Sequence, residues 1–418
     1  MAADVLSAFR HPGYRRFTLA RTGATVGHQI LLTVVGWEVY ERTGSAWHLG
    51  LVGLVQIVPI LGLALWAGQL ADLVDRRRIA SFTQVILCAA ALGLALISRH
   101  REWGLVPLYA MLVLVGMARA FQTPALQALM PSLVPAEDFG NAVAWRSLLF
   151  EMASVLGPMV GGFLIAGTGG ATVPYLVNAA TAAGAAMLLL TLPTPARLKT
   201  EADGGRLLDG VRYVWARKAL LGAMTLDLFA VLFGGATALL PIFAKDILGG
   251  GPATLGLLRA APAAGAILTS LVLIRMGTFR RSGRVLLVSV ALYGAAMAAF
   301  GLSRNLTLSL VLLAVSGMAD AVSVYIRHSV VQLLTPDRMR GRVSAVNGVF
   351  FTASNELGEL ESGVAAGLVG AGPSVVLGGV VTVAVVGACT WAFPQVRRLG
   401  RLDQLSAEEG GEVPGSGI

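Results

Sequence analysis

Long apolar stretches recur along the whole chain, and they limit its possible folds more than any other feature. Twelve segments of roughly 20 residues or more are dominated by Leu, Val, Ala, Ile and Gly, with polar loops between them. The segments are 17–40, 47–73, 79–98, 104–130, 142–166, 173–193, 219–244, 253–274, 284–303, 307–334, 343–368 and 374–394. Each is long enough to cross the hydrocarbon core of a bilayer as a helix. The sequence therefore predicts an all-α integral membrane protein with twelve transmembrane helices.

Composition and charge agree with a membrane protein. Hydrophobic residues make up 56% of the 418 residues and charged residues only 13%, whereas soluble domains have about 25% charged residues. The net charge of +9 comes from basic residues in short loops, which is typical of membrane topology and does not indicate nucleic-acid binding. No metal-ligand spacing, nucleophile motif or nucleotide-binding loop occurs. We therefore expect no cofactor, no metal and no enzymatic activity.

The distribution of Lys and Arg between alternate loops predicts the orientation. The tails and loops on the side of the N-terminus carry 22 of these residues, and the loops on the opposite side carry 5. Short loops rich in Lys and Arg stay in the cytoplasm. We therefore expect a multi-pass protein of the inner cell membrane with both termini cytoplasmic. The first 16 residues lack the apolar core of a signal peptide.

The polar stretches divide the chain into four parts. We predict an N-terminal six-helix bundle, a cytoplasmic linker, a C-terminal six-helix bundle and a disordered cytoplasmic tail. Their ranges are 1–193, 194–218, 219–394 and 395–418. Within the linker, Val211, Val214 and Trp215 lie at helical spacing between charged residues. This pattern predicts an amphipathic helix on the membrane surface, with an ordinary linker as the alternative.

An internal repeat relates the two halves at an offset of 201 residues. The sequence GMAR that ends at Arg119 corresponds to GMAD ending at Asp320, and Phe150 corresponds to Phe351. One fixed offset holds over nearly fifty residues. Two parallel repeats predict two pseudo-symmetric six-helix bundles, with the substrate path between them near the middle of the membrane.

The loop after the second segment reads GQLADLVDRRR, from Gly68 to Arg78. We expect Gly68 to allow a neighbouring helix to approach closely. Asp72 lies at a membrane boundary, where it can pair with an arginine or a helix N-terminus. Arg76, Arg77 and Arg78 alone would be an ordinary topology signal.

Segments 4 and 5 carry unusual residues inside the membrane. Arg119 is costly in lipid, so it should face the protein interior and be paired. An inert salt bridge between helices is the alternative. Segment 5 contains Gly157, Pro158, Gly161 and Gly162. The proline should kink the helix, and the glycines should allow tight packing, for which generic helix packing is a sufficient explanation.

Segment 11 carries three carboxylates within six residues. Glu356 and Glu359 lie one turn apart on one face, whereas Glu361 points elsewhere. Carboxylates inside a membrane helix suit a proton carrier. Asp320 and Arg327 are seven residues apart in segment 10 and could share a face.

Other intramembrane charges are weaker candidates for proton coupling or substrate binding, and we expect about half of the whole set to be structural. They are Arg119, Glu151, Asp227 and Asp320, with Arg21 and Arg259 as further charges. His28 and His328 are interpreted as packing residues.

Together these features resemble the major facilitator superfamily over the whole chain. The Gly68–Arg78 segment resembles its signature loop, Arg119 and Gln122 resemble its R-x-x-Q motif, and Gly157–Gly162 resembles its antiporter motif. The resemblance implies alternating access, with Gly68, Asp72 and the three arginines forming a cytoplasmic gate loop. The resemblance to the antiporter motif also favours export.

Two further stretches resemble the enterobactin-exporter-like branch of that superfamily. They are TPDRMRGRV at Thr335–Val343 and FRHPGYRRF at Phe9–Phe17. In the signature loop, the chain departs from the commonest form at Leu73 and Asp75, and the acidic Asp75 also resembles this branch. Because the branch includes siderophore and drug exporters, it does not fix the ligand.

The leading functional hypothesis is a proton-coupled exporter of a mid-sized amphiphilic organic solute. An importer or facilitator of a small nutrient is the first alternative. A membrane sensor or lipid-modifying enzyme without transport is the alternative from another class, although no signalling domain or catalytic constellation supports it. The expected partners are a small-molecule substrate, protons and the lipid bilayer. We expect a monomer.

Overall fold

The computed structural model describes residues 5–193, 207–276 and 279–402. Within its helices, some side chains lie outside this description. They are those of residues 64–65, 69, 71–73, 207–208, 274, 276, 337–338, 340–341, 345, 349, 351–353 and 356. Most of the predicted tail therefore lies outside the described residues, as does the linker from residue 194 to 206.

Twelve long helices make up the described chain, which confirms the predicted fold class. They are α1 Pro12–Thr43, α2 Ala46–Leu73, α3 Arg76–Arg99, α4 Val106–Leu129, α5 Ala136–Thr168, α6 Thr172–Leu190, α7 Lys218–Gly234, α8 Pro252–Met276, α9 Ser282–Leu302, α10 Leu306–Leu333, α11 Asp337–Val369 and α12 Ala371–Ala392. Ten stretches of the described residues are long and apolar enough to cross a membrane. The helices α1 and α11 are not among them, since charged residues such as Glu38 of α1 and Glu359 of α11 interrupt their apolar runs.

Segment 7, predicted over 219–244, lies within Lys218–Ile247, one of the stretches that could cross a membrane, but its helix is interrupted. The helix α7 ends at Gly234, and the chain continues as a 3₁₀ turn at Thr237–Leu239 and a π-helix at Phe243–Ile247. The pair Gly234-Gly235 has low helix propensity, and Pro241 lacks the backbone N–H that a continuous helix needs. Short π-helices are frequent at functional sites.

The described chain forms two compact units. The first comprises Met1–Lys199 with Ala238–Ala263, and the second comprises Thr200–Thr237 with Ala264–Ile418. In the first unit, α1 packs against α5 and α6, while α3 packs against α4 and α6. In the second, α9 packs against α10 and α12, and α7 packs against α11 and α12. The first unit is therefore not contiguous in sequence.

The repeat is visible in the helix boundaries. Helices α5 and α11 each have 33 residues, and both their first and their last residues are 201 positions apart. Both begin directly after a proline, Pro135 and Pro336 respectively. The offset found in the sequence is thus also the offset between equivalent helices.

The linker contains the predicted helix, at Leu207–Ala216. Val214 is buried in the apolar core of the second unit, and the Tyr213 hydroxyl donates a hydrogen bond of 2.7 Å to the Leu334 carbonyl at the end of α10. Trp215 points away from the core and is 67% exposed. One side of this helix is therefore packed on protein, while its place on a membrane surface stays a prediction.

Candidate functional site

The loop between α2 and α3 fastens the start of α3 to the end of α6. The Asp75 carboxylate caps α3 by accepting a hydrogen bond of 2.9 Å from the backbone N–H of Arg77. The Arg77 guanidinium donates to the carbonyl of Leu192 at 2.7 Å and to that of Leu190 at 3.4 Å. Arg78, in contrast, has a side chain that is 76% exposed. The three arginines of the predicted gate loop therefore have different structural roles.

The other members of the gate loop give a mixed result. Arg76 lies near the end of α4, where its guanidinium is 3.5 Å from the carbonyl of Ala128. The side chain of Asp72 lies outside the described residues. A Cβ atom at Gly68 would meet no described atom within 4 Å. The described residues therefore do not show the close helix approach expected at Gly68.

The glycines of the antiporter-type motif lie where α5 crosses α1. A Cβ atom at Gly157 would lie 2.4 Å from the Cβ of Gln29, and one at Gly161 would lie 3.4 Å from the Cα of Ile30. The first distance is too short for any side chain, whereas the second is an ordinary contact. Of these two glycines, it is Gly157 that the tight packing on α1 requires.

Gly162 packs on a different partner within the same unit. A Cβ atom there would lie 2.4 Å from the carbonyl oxygen of Pro252, at the start of α8. A Cβ atom at Gly256 would in turn lie 2.6 Å from the carbonyl oxygen of Pro158. Pro158 is itself buried in the middle of α5. The motif therefore joins α5 to two helices, on two of its faces.

Arg119 of α4 lies in hydrogen-bond contact with His28 of α1. The interpretation of His28 as a packing residue therefore missed its contact with a charged candidate. The adjacent Gly27 packs closely on Asn178 and Thr181 of α6, and this contact fixes the rotation of α1 that directs His28 towards Arg119.

A buried ion pair at the other end of α1 was not found by sequence reasoning. Glu38 is 1% exposed, and one of its carboxylate oxygens lies 2.5 Å from the Arg42 guanidinium. The other oxygen accepts a hydrogen bond of 2.7 Å from the Tyr175 hydroxyl of α6. Arg42 also donates to the carbonyl of Ile97 at the end of α3. This Glu38 cluster links three helices, and the spacing of four residues between Glu38 and Arg42 was the signal that could have revealed it.

The last turn of α1 also contacts the π-helix of the first unit. The hydroxyl of Tyr40 donates a hydrogen bond to the carboxylate of Asp246. The ammonium of Lys245 lies 5.8 Å from the centre of the Tyr40 ring, within the range of a cation–π contact.

The second unit holds a cluster of two carboxylates and one arginine. Arg327 of α10 is ion-paired with Asp227 of α7, and both residues are buried. The other terminal nitrogen of Arg327 lies 3.8 Å from a carboxylate oxygen of Asp320, whose side chain is 49% exposed. The spacing of Asp320 and Arg327 therefore does bring them together on one face of α10. One guanidinium thus contacts two carboxylates, and its contact with Asp320 is the longer of the two.

The carboxylates of α11 lie in different surroundings. Glu359 lines a small cavity beside the break after α7, together with Asn355 and Thr237. Glu361 is partly buried, and the neighbouring Ser362 donates a hydrogen bond of 2.7 Å to the Gly235 carbonyl. The side chain of Glu356 lies outside the described residues.

The remaining candidate acid, Glu151, is partly buried on α5. The described residues contain no group of three His, Cys, Asp or Glu side chains that could hold a metal ion. The chemistry that the charged clusters offer is ion pairing and proton exchange.

Comparison with known proteins identifies relatives over most of the chain. A family profile described as transmembrane secretion effector matches residues 3–409. The enterobactin exporter EntS of Escherichia coli is 30% identical over 352 residues, which are 84% of this chain and 83% of the exporter. EntS of Shigella boydii matches to the same extent.

Solved structures of transporters share the fold at low sequence identity. A bacterial homologue of the human lysosomal transporter Spinster, inward-facing and unoccupied, has a TM-score of 0.73 at 16% identity and covers 95% of this chain and 99% of its own. A D-xylose–proton symporter has a TM-score of 0.72 at 14% identity, covering 93% and 99%. These likenesses concern the fold alone.

Proposed function

Since the chain belongs to the transmembrane secretion effector family of the major facilitator superfamily, we propose that it is a proton-coupled exporter of a mid-sized amphiphilic organic solute. Transport would proceed by alternating access of one central site to the two sides of the membrane. The 30% identity with an exporter over 84% of the chain supports the outward direction. It also supports an organic solute of siderophore or drug type.

The arrangement of Asp227, Arg327 and Asp320 is the observation that carries the proton coupling. Arg327 keeps a buried partner in Asp227 whatever the state of Asp320. Asp320 can therefore accept a proton while Arg327 stays paired. An unpaired buried positive charge would be strongly destabilising. The side chain of Asp320 is half exposed, whereas that of Asp227 is buried. Asp227 is thus the structural acid, and Asp320 is the acid that exchanges protons.

The carboxylates of α11 are proposed as a second proton or substrate site. Glu359 lines the cavity beside the break after α7, where backbone carbonyls released from regular helix hydrogen bonding can contribute to a polar site. Glu356 is proposed for the same role because it lies one helical turn before Glu359 in the sequence. The loop at Gly68–Arg78 is proposed as the cytoplasmic gate, with both termini in the cytoplasm.

A transport assay with purified protein in proteoliposomes tests this function. A pH gradient is imposed, and the movement of enterobactin, a macrolide, a cationic dye and a lysolipid is followed. We expect at least one of these solutes to move against its own gradient and opposite to the protons. Asp320→Asn, Glu356→Gln and Glu359→Gln are then measured for uphill transport. We expect Asp320→Asn to abolish uphill transport while downhill flux continues.

Asp209→Asn is the matched control, since it removes one negative charge from the partly exposed linker helix. It should transport normally. Full pH-driven transport by all three acid variants would contradict the proton role. Movement of a solute in the same direction as the protons would instead support the hypothesis of an importer.

A further inference from the structure

A cleft in the first unit lies between one face of α1 and one face of α5. On α1, its lining residues follow the spacing of a single helix face, and three residues of α5 face them across the cleft. The α1 residues are Tyr14, Phe17, Thr18, Arg21, Thr22 and Thr25, and the α5 residues are Arg146, Leu149 and Phe150. The cleft is small and open on one side. Its lining includes two arginines and no acid.

The two arginines of this cleft face no carboxylate among the described residues that line it. Arg21 and Arg146 are close enough to repel each other electrostatically. The Nη1 atom of Arg21 is buried and has no hydrogen-bond partner among the described residues. Neither guanidinium forms an ion pair with a carboxylate of the described chain. A buried donor without an acceptor and two like charges in one cleft are both unfavourable, and a bound anion would relieve both.

The cleft is held open by a rigid frame. The Tyr14 hydroxyl at its base donates a hydrogen bond of 2.9 Å to the Ala142 carbonyl of α5. Before α1, the ring of Phe9 packs edge-on against Trp145, at 5.2 Å between ring centres. The Trp145 indole in turn donates a hydrogen bond of 2.8 Å to the Val5 carbonyl. These contacts fix α1 against α5. They therefore set the separation of the two helices that carry Arg21 and Arg146.

We propose that this cleft is an anion-binding subsite, which takes a carboxylate or phosphate group attached to an apolar body. Arg21 and Arg146 would bind the anion through charge-assisted hydrogen bonds. The hydroxyls of Thr18 and Thr22 add donors on the same face of α1. Phe150, which is 51% exposed at the rim, would contact the apolar body. The site requires neither proton coupling nor a particular direction of transport.

Binding of charged amphiphiles to the purified full chain tests the proposal. The protein is kept in micelles of a neutral detergent, and dodecyl phosphate or dodecyltrimethylammonium is titrated while the apparent Kd is measured. We expect dodecyl phosphate to bind and the cation not to compete. Arg21→Gln and Arg146→Gln should each weaken dodecyl phosphate binding by about tenfold or more, and Arg21→Lys should keep most of the affinity.

Arg15→Gln is the matched control, because it removes one exposed positive charge from α1 six residues before Arg21. It should leave the Kd unchanged. Equal affinities of the wild type, Arg21→Gln and Arg146→Gln would overturn the proposal. So would an equal loss of affinity in Arg15→Gln, which would indicate attraction by overall charge. Arg146→Gln and Arg21→Lys carry the test should Arg21→Gln fail to fold.

The source of the anion is decided by a lipid arm of the same experiment. The wild type and Arg146→Gln are placed in nanodiscs of phosphatidylcholine, with or without phosphatidylglycerol, and their thermal unfolding is compared. Stabilisation by phosphatidylglycerol that depends on Arg146 supports the subsite and assigns it to a lipid headgroup. Binding of dodecyl phosphate without that lipid effect supports the subsite and assigns it to a soluble amphiphile. Because no transport is measured, failure of the exporter proposal would leave this result intact.

Discussion

Replacement of Gly157 by alanine tests how tightly α5 and α1 are packed. The new Cβ atom would lie 2.4 Å from the Cβ of Gln29, whereas ordinary contacts begin near 3.4 Å. The two helices must therefore separate by about 1 Å, and overpacking of this kind costs about 1–3 kcal/mol. Alanine regains about 1 kcal/mol because it favours a helix more than glycine does. We expect a net loss of roughly 0–2 kcal/mol in the free energy of unfolding.

Gly161→Ala is the matched control for Gly157→Ala. Gly161 lies one turn further along α5 and faces the same partner helix, but its new Cβ atom would meet its nearest neighbour at 3.4 Å. Only the gain in helix propensity remains, so this variant should be about 1 kcal/mol more stable than the wild type. Reversible unfolding in mixed micelles with sodium dodecyl sulfate measures both variants. If Gly157→Ala is as stable as Gly161→Ala, the close approach of α1 and α5 described here is wrong.

Two further predictions concern the polar contacts that fasten the helices of the first unit. Arg77→Gln should lower the free energy of unfolding by about 1–3 kcal/mol, because it removes charge-assisted hydrogen bonds to the end of α6. Arg78→Gln should have an effect within about 0.5 kcal/mol in the same assay. Equal effects of the two arginine variants would refute the role given to Arg77 at the end of α6. Glu38→Gln should cost about 3–5 kcal/mol, since it leaves the buried Arg42 without an ionised partner. Tyr175→Phe should cost about 1 kcal/mol, and a loss in Glu38→Gln no larger than this would contradict the ion pair.

The sequence predicted the helices well because each is defined by local properties. A membrane span needs only a sufficiently long apolar run between polar loops, so all twelve segments were found. The helix ends were less accurate: α5 begins at Ala136 and α11 at Asp337, about one and a half turns before the predicted spans. These first turns are polar and continue the helix beyond the apolar run, which hydropathy does not detect.

The contacts between helices were predicted less well, because they depend on which faces meet. The glycine motif at Gly157 does mark a close approach, whereas no described atom lies within 4 Å of a Cβ at Gly68, although both glycines lie inside long helices. The partners Glu38 and Tyr175 are 137 positions apart. No spacing rule joins residues at such a distance, so only the folded chain reveals their bond.

The break in segment 7 could have been predicted. Gly234-Gly235 and Pro241 are strong helix-breaking signals, and they were overridden by the hydropathy of the whole segment. Inside a membrane, hydropathy reports where the chain lies and is insensitive to whether the helix is continuous.

The non-contiguous first unit has a consequence for the order of events during biosynthesis. Its first part ends at Lys199, but its last residues are Ala238–Ala263. At translation rates of about 5–20 residues per second, the ribosome needs several seconds to supply that second part. During this interval Gly162 of α5 lies in the nascent protein without its partner at the start of α8. Until α8 is inserted, the face of α5 at Gly162 therefore lacks the packing partner that covers it in the folded protein.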